Sequence, residues 1–320
     1  MTAPLGTVIR KVAGDGDLER LVAIVNATSP DEPTSLDDIH WSNATYPGGT
    51  RYLAELDGKA VGAATVGRIY MYPPDHPGFW GAIAVLPEAR RRGIGEALLR
   101  AISETARSAG KTELHIRCAD DRPEGIGFLA HRRFSELERS KTVRLELADI
   151  AAPTLEPPAG IELTTLAARP DLVTGVYAVA IEAFDDIPGG DRPMAPGDLA
   201  EFRARDVDRP SIPRDAFVVA VDQASGHVVG YASLIMAPGS TTTAWHDMTA
   251  VLRAYRGRGI AGALKDATIA WALDNGLTAL ETGNDEANAA MRAVNARLGY
   301  RPLPDEVTMR GPLFGGIMTR

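Results

Sequence analysis

The sequence predicts an α/β (α+β) chain of two like domains, each a mixed, mainly antiparallel sheet flanked by helices. Three observations predict it. The chain has 320 residues, enough for about two domains of ~150 residues. A long internal repeat divides it into two copies. Within each copy, runs with a period of two alternate with amphipathic runs of helical period. Hydrophobic residues make up 45% and charged residues 24%, as in ordinary globular chains.

The repeat is plainest where Ile83-Ala84-Val85-Leu86-Pro87-Glu88-Ala89-Arg90-Arg91-Arg92-Gly93-Ile94-Gly95 answers Thr249-Ala250-Val251-Leu252-Arg253-Ala254-Tyr255-Arg256-Gly257-Arg258-Gly259-Ile260-Ala261. Gly93 and Gly259 stand 166 residues apart, as do Gly110 and Gly276, and Phe134 and Tyr300. Upstream, Asp57-Gly58 to Gly62 matches Ser225-Gly226 to Gly230 two residues out of step. The expected domains are 1–150 and 161–320, joined by the Pro-rich stretch 151–160.

In copy one, Asp17–Asn26 reads as a helix with Leu18, Leu21, Val22 and Val25 on one face. Arg51–Leu56 and Ala60–Ile69 read as strands turned at Asp57-Gly58. Phe79–Val85 is a third strand. Ile94–Ser108 is a helix with apolar Ile94, Ala97, Leu98 and Ile102, and Leu114–Cys118 is a strand. Cys118 is the sole cysteine. It excludes an internal disulfide, and alternation with Leu114 and Ile116 predicts a core thiol rather than a nucleophile. Copy two repeats this with helices at Pro170–Phe184 and Gly197–Arg205. Strands follow at Ala216–Asp222, His227–Met236 and Thr243–Val251. A helix at Ile260–Asn275, a strand at Leu277–Thr282 and a helix at Asn288–Leu298 complete it.

Arg90-x-x-Gly93-x-Gly95 and Arg256-x-x-Gly259-x-Ala261 each sit between a strand and a helix. A helix N-terminus offers unpaired amides and partial positive charge, and small residues let an anion approach the backbone. Such a turn suits a pyrophosphate. It is neither a phosphate loop ending in Gly-Lys-Ser/Thr nor the three-glycine dinucleotide turn. Its occurrence twice, after a strand ending in Val and before an Ala/Leu-rich helix, sets it apart from an ordinary basic turn.

Both segments resemble the acyl-CoA-binding motif of the GNAT superfamily of N-acyltransferases, and the resemblance covers nearly the whole chain. It implies acetyl-CoA as cofactor. Its pyrophosphate would lie on Arg90, Arg91, Arg92, Gly93, Ile94 and Gly95 and on Arg256, Gly257, Arg258, Gly259, Ile260 and Ala261. Pantetheine would lie along Ile83, Ala84 and Val85 and along Thr249, Ala250 and Val251. In similar enzymes the base stands four or six residues before the strand's Val. Copy two has Asp247 and Trp245 there; copy one has Gly81 and Phe79. Asp247 is the leading base, with a loop-holding role as its structural alternative. His246 and Glu281 follow as further candidates. Asn295 occupies the position where such enzymes carry the Tyr acid that serves the leaving thiolate; Asn cannot give a proton as an acid but can hydrogen-bond the sulfur, with solvent as the alternative proton source. Asn288 would contact the CoA arm, or else cap a helix. Copy one has Arg122, Leu129 and Arg133 where the pattern has Asn, Tyr and Gly, which predicts a non-catalytic first domain.

The acceptor expected is a small amine, with a cationic one as the variant that an acidic wall would suit. The loop carrying Glu182, Asp185, Asp186, Ile187, Pro188 and Asp191 would form an acidic wall for it, with Trp245 nearby. Solvation of that loop alone is the plainer alternative. Tandem members of the mycothiol synthase type carry Leu-Tyr where this chain has Val294-Asn295, so that substrate is not expected. A net charge of −8 argues against nucleic acid. No cysteine cluster suggests a metal site, and none is expected. Without a leader-like or spanning apolar run, the expected location is the cytoplasm, away from membranes. The rival readings are a CoA-binding sensor or scaffold without turnover, and a purely structural tandem domain.

Overall fold

A computed structural model describes residues 6–30, 33–187, 194–237 and 240–315. In chain order the elements begin β1 (Thr7–Lys11), α1 (Asp15–Thr28), α2 (Leu36–Thr45), β2 (Thr50–Leu56), β3 (Lys59–Arg68) and β4 (Gly78–Val85). There follow α3 (Ile94–Ser108), β5 (Glu113–Ala119), α4 (Pro123–Ala130) and β6 (Ser135–Glu146). Next come β7 (Ile161–Thr165), α5 (Val173–Phe184), α6 (Leu199–Phe202), β8 (Val218–Asp222), β9 (Val228–Met236) and β10 (Thr243–Val251). The chain ends with α7 (Ile260–Asp274), β11 (Ala279–Asp285), α8 (Ala289–Arg297), β12 (Arg301–Pro302) and β13 (Glu306–Pro312). Among the described residues, no helix is long and apolar enough to cross a membrane.

The chain forms two compact units, but not the two continuous segments expected. One holds residues up to Arg139 together with those from Glu306; the other is Ser140–Asp305. The stretch expected as the end of the first domain, 140–150, pairs its strand β6 with β11 instead. The last strand, β13, pairs with β5. Strand patterns reveal which faces are apolar but not which distant edge a strand joins, and this correction lies in that gap.

In the first unit the sheet order is β1-β2-β3-β4-β5-β13, with β4 and β5 parallel and the other pairs antiparallel. Successive residues of β3 serve opposite faces. Ala63 joins Leu18, Leu21 and Ile24 of α1 and Ile39 of α2. Ala64 and Val66 join Leu98, Leu99, Ile102 and Ala106 of α3. Burying each such leucine contributes about 1.5–3 kcal/mol. Helix α2 begins with a capping box on Ser35 and Asp38.

In the second unit the order is β6-β11-β10-β9-β8-β7, with β12 on β6 and β10 parallel to β11. Helix α5 covers one face through Val176, Val179 and Ala180. Helix α7 covers the other through Ile260 and Leu264. The segment expected as a helix over Gly197–Arg205 is a four-residue α-helix followed by one π-helical turn, Arg203–Val207.

Candidate functional site

The repeat holds at backbone level. Helices α3 and α7 both start from a left-handed glycine, Gly93 at φ 81° and Gly259 at φ 84°. Two residues earlier the chain is left-handed again, at Gly257 in one copy and at Arg91, φ 61°, in the other. A side chain in that region costs roughly 1–2 kcal/mol, so the first turn keeps its shape against local preference. Arg90 Nε donates to the Val85 carbonyl oxygen at 3.0 Å, and Arg256 Nε to that of Val251 at 3.0 Å. In α7 the first intrahelical bond runs from Ala263 N–H to the Gly259 carbonyl. The amides of Ile260, Ala261 and Gly262 thus precede the first closed turn, which is the geometry of an anion cradle.

Beside each turn a parallel strand pair opens. β10 pairs with β11 only through Thr243, Ala244 and Trp245, leaving Thr249, Ala250 and Val251 off that partner. β4 parts from β5 after Gly81, ahead of Ile83, Ala84 and Val85. The copies then differ. β4 keeps an unbroken register with β3. β10 slips against β9 between His246 and Thr249, a bulge that re-aims side chains beside the gap.

Asp247 stands in this bulge, half-buried. Enclosure by protein raises its carboxyl from 3.8 to about 6; the Asp206 carboxylate pushes the same way, while the Met248 amide, Arg209 and Arg205 oppose. A group that ionises there can take up and release protons near neutral pH. Because the bulge falls after His246, alternation up to that point survives and His246 faces the core. It is fully buried, with Nδ1 2.5 Å from Tyr300 Oη and Nε2 2.5 Å from Thr268 Oγ1. Burial, then Lys265, lowers its imidazole pKa well below normal. His246 is a packed polar group rather than an exposed base.

The acidic wall is largely occupied. Asp186 accepts from Arg253 Nη2 and from Arg256 Nη2, each at 2.6 Å. Glu182 Oε1 accepts from the Arg253 amide at 2.5 Å. These pairs tie the end of α5 to the turn before α7, and the arginines hold the Asp186 carboxyl down at about 2. Asp185 lies just past α5; Pro188 and Asp191 lie outside the described residues. Glu281 is likewise paired, to Arg144 Nη1 at 2.5 Å.

Sequence reasoning missed Asp206. It sits in the π-helical turn, gripped by Arg205 Nε at 2.8 Å, with its carboxyl pKa raised by burial. Burial first, then Asp206 and Asp247, raises the phenol of fully buried Tyr231. A weakly periodic, Arg-rich segment offered no signal that it turns a carboxylate inward. π-turns recur at functional sites.

It also missed Lys265. The residue is 1% exposed, its Nζ donates to Asn295 Oδ1 at 2.9 Å, and burial lowers its pKa to about 7. Asn295 is itself buried and donates to Asn284 Oδ1 at 2.6 Å. Both ends of its amide are thus engaged inside the unit, against the expectation that it faces a leaving sulfur. Asn288 caps α8, accepting from the Met291 amide at 3.2 Å. Trp245 is half-buried against Gly283, where a Cβ would come 3.4 Å from its ring.

In the first unit, Gly81 stands where Asp247 stands in the second. The Phe128 ring lies against Gly95, 3.4 Å from where a Cβ would be, with the Arg132 guanidinium 3.9 Å above it. Cys118 packs at the edge of that unit's core, and burial raises its thiol to about 11. It is no nucleophile.

A family model described as acetyltransferase (GNAT) matches residues 18–134 and again 181–300. A mycothiol acetyltransferase of Salinispora arenicola is 31% identical over 225 residues, 68% of each chain. An L-2,4-diaminobutyric acid acetyltransferase of Nocardia farcinica is 30% identical over 139 residues, 42% of this chain and 70% of that protein. A solved tandem GNAT protein from the clavulanic acid biosynthesis pathway superposes with a TM-score of 0.80 at 22% identity, covering 97% of this chain and 100% of that one. A GCN5-related N-acetyltransferase from Sphaerobacter thermophilus gives 0.74 at 18% identity, covering 99% and 98%. At these identities the structural likeness speaks for the fold.

Proposed function

The chain belongs to the acetyltransferase (GNAT) family as a tandem member, and from that premise we propose that its second unit transfers an acetyl group from acetyl-CoA to a small primary amine. The observation that carries this reading is the bulged strand β10 with Asp247 in it, beside a gap and a phosphate-type turn. The first unit has the turn and the gap but neither the bulge nor the carboxylate.

The residues present fit such a ligand. Gly257 and Gly259 bring the backbone close, and the α7 N-terminus presents its amides to a pyrophosphate. The opened edge Thr249–Val251 offers backbone groups to an amide-bearing arm. Acetyl-CoA supplies an activated acyl group, its C–S bond breaking as the amine forms a C–N bond. Asp247 takes the proton from the incoming ammonium, directly or through one water, and solvent protonates the departing thiolate. The Asp247 carboxylate, when ionised, favours a cationic acceptor. Two relatives are, by their names, acetyltransferases of mycothiol and of L-2,4-diaminobutyric acid; Val294-Asn295 departs from the mycothiol pattern, so the acceptor is proposed only as a small amine.

The test is calorimetric titration of acetyl-CoA into the wild type, Gly259→Trp and Gly93→Trp, followed by acceptor-dependent thiol release across an amine panel. Binding lost only in Gly259→Trp, with turnover in the wild type, is the expected result. Binding without release for any amine favours the sensor or scaffold reading. No binding at all overturns the proposal.

A further inference from the structure

In the first unit, away from the turn, two buried imidazoles and a carboxylate converge. His76 precedes β4, while Glu113 and His115 share one face of β5. One ligand atom from each of the three lies within 4.8 Å of the other two. His115 Nε2 and Glu113 Oε1 are 3.1 Å apart. The His76 and His115 rings meet edge to face at 5.4 Å. Gly78 leaves room between them: a Cβ there would fall 2.9 Å from His115 Nε2 and 3.0 Å from His76 Cε1.

We propose that His76, His115 and Glu113 form a binding site for a divalent transition-metal ion of the zinc type. Two imidazoles and one carboxylate are a borderline donor set that such ions favour, leaving a fourth position for water. Ligands at about 2.0–2.1 Å in tetrahedral array stand ~3.3 Å apart. The His115–Glu113 pair already has that spacing, so closure asks only that His76 swing inward. With Nε2 of His76 on the ion, its Nδ1 keeps a proton and donates to the Gly78 carbonyl oxygen, now 3.3 Å away, in place of accepting from the Gly78 amide. Such a bond to the other ring nitrogen commonly orients metal-binding histidines. Lys111 already pins the same loop, donating to the Pro74 and His76 carbonyl oxygens at 2.7 and 2.8 Å. The ion would clamp that loop to β5 at the closed end of the β4–β5 pair. The donor set does not follow the repeat: the residues 166 positions on from His76, Glu113 and His115 are Thr242, Ala279 and Glu281. The fold therefore does not demand these side chains.

The test titrates Zn²⁺, against a chromophoric chelator, into metal-stripped full-length protein, and Co²⁺ for its visible bands. We expect one equivalent in the wild type, with affinity falling about tenfold or more in Glu113→Gln and His115→Gln. Gly78→Ala, which keeps all three ligands and fills the space between the rings, should also lose the ion. Should these variants unfold, histidine ring-nitrogen NMR of the wild type decides. Zinc should shift His76 and His115 and spare His40, His131, His227 and His246. No stoichiometric uptake by the wild type, undiminished uptake in folded variants, or shifts confined to other histidines would overturn the site.

Discussion

Replacing Asp247 with asparagine removes the proton acceptor while keeping its size and an oxygen for the Met248 amide. The carboxyl is raised from 3.8 to about 6, and each tenfold step in an acid constant is worth about 1.4 kcal/mol. The ionised form thus costs the folded state at most ~3 kcal/mol at neutral pH. Partial solvent access trims this to about 1–3 kcal/mol. A raised folded pKa contributes stability that is full below about 3.8 and is lost as pH rises through about 6. Asp247→Asn should therefore melt several degrees above the wild type at pH 7, at roughly 2–4 °C per kcal/mol. That advantage should vanish near pH 4. Thermal unfolding followed by circular dichroism from acid to neutral pH measures it without any acceptor. In parallel, kcat/KM should fall about 10²–10⁴-fold, and the rising limb of its pH profile near 6 should disappear. Unchanged turnover, with a melting difference that does not vary with pH, would refute both the base and its electrostatic setting.

Asp186→Ala frees Arg253 and Arg256 from a largely exposed cluster, so stability should change little. Calorimetry should show acetyl-CoA affinity kept or raised; a raised acceptor KM instead would restore Asp186 to the acceptor wall. Lys265→Met leaves Asn295 Oδ1 without its donor inside the unit, a cost of about 1–3 kcal/mol where the amine is neutral in both states. Lysine at about 7 is depressed from 10.5, so its contribution is full above about 10.5 and is lost as pH falls from there to about 7. Denaturant melts of the two proteins should therefore converge as pH falls from alkaline values to about 7. Cys118, with its thiol held near 11, should react with a disulfide reagent far more slowly in folded than in denatured protein, as thiol absorbance assays report.

Much of this molecule is legible from local pattern. Ile94–Ser108 and Thr243–Val251 fall where the sequence places them, because a strong apolar period and a glycine start or stop define each end. The phosphate-type turn is legible because it depends on glycines and a helix start, both local. What stays hidden depends on partners distant in the chain. The chain divides between its two units within β6, and not at the Pro-rich stretch, because edge pairing is chosen in space. Glu182 and Asp186 read as an open acidic wall until Arg253 and Arg256 are seen against them. Lys265 was within reach: it stands with Thr268, Ile269 and Ala272 on the buried stripe of α7. A lysine there must be lowered or paired, and it is both.

The two copies show how little separates an unbroken strand from a bulged one. Downstream of Val85 and Val251 the copies keep one spacing, through the turn, the helix and the parallel strand. Upstream the spacing differs by two residues, as Gly62 and Gly230 show. Both glycines must stay small, since a Cβ would come 3.1 Å from the Ala84 carbonyl oxygen in one copy and 2.8 Å from that of Ala250 in the other. With that contact fixed, the changed spacing has to be absorbed between the glycine and the start of the motif strand. β10 has nine residues where β4 has eight, and its extra length appears as the bulge after His246. The same local change that breaks the β9 ladder places a carboxylate beside the gap. Deleting one residue between His246 and Thr249 would restore an unbroken register with β9 and remove the bulge in which Asp247 stands, so the opening beside the gap and the regularity of the ladder exclude each other at this point.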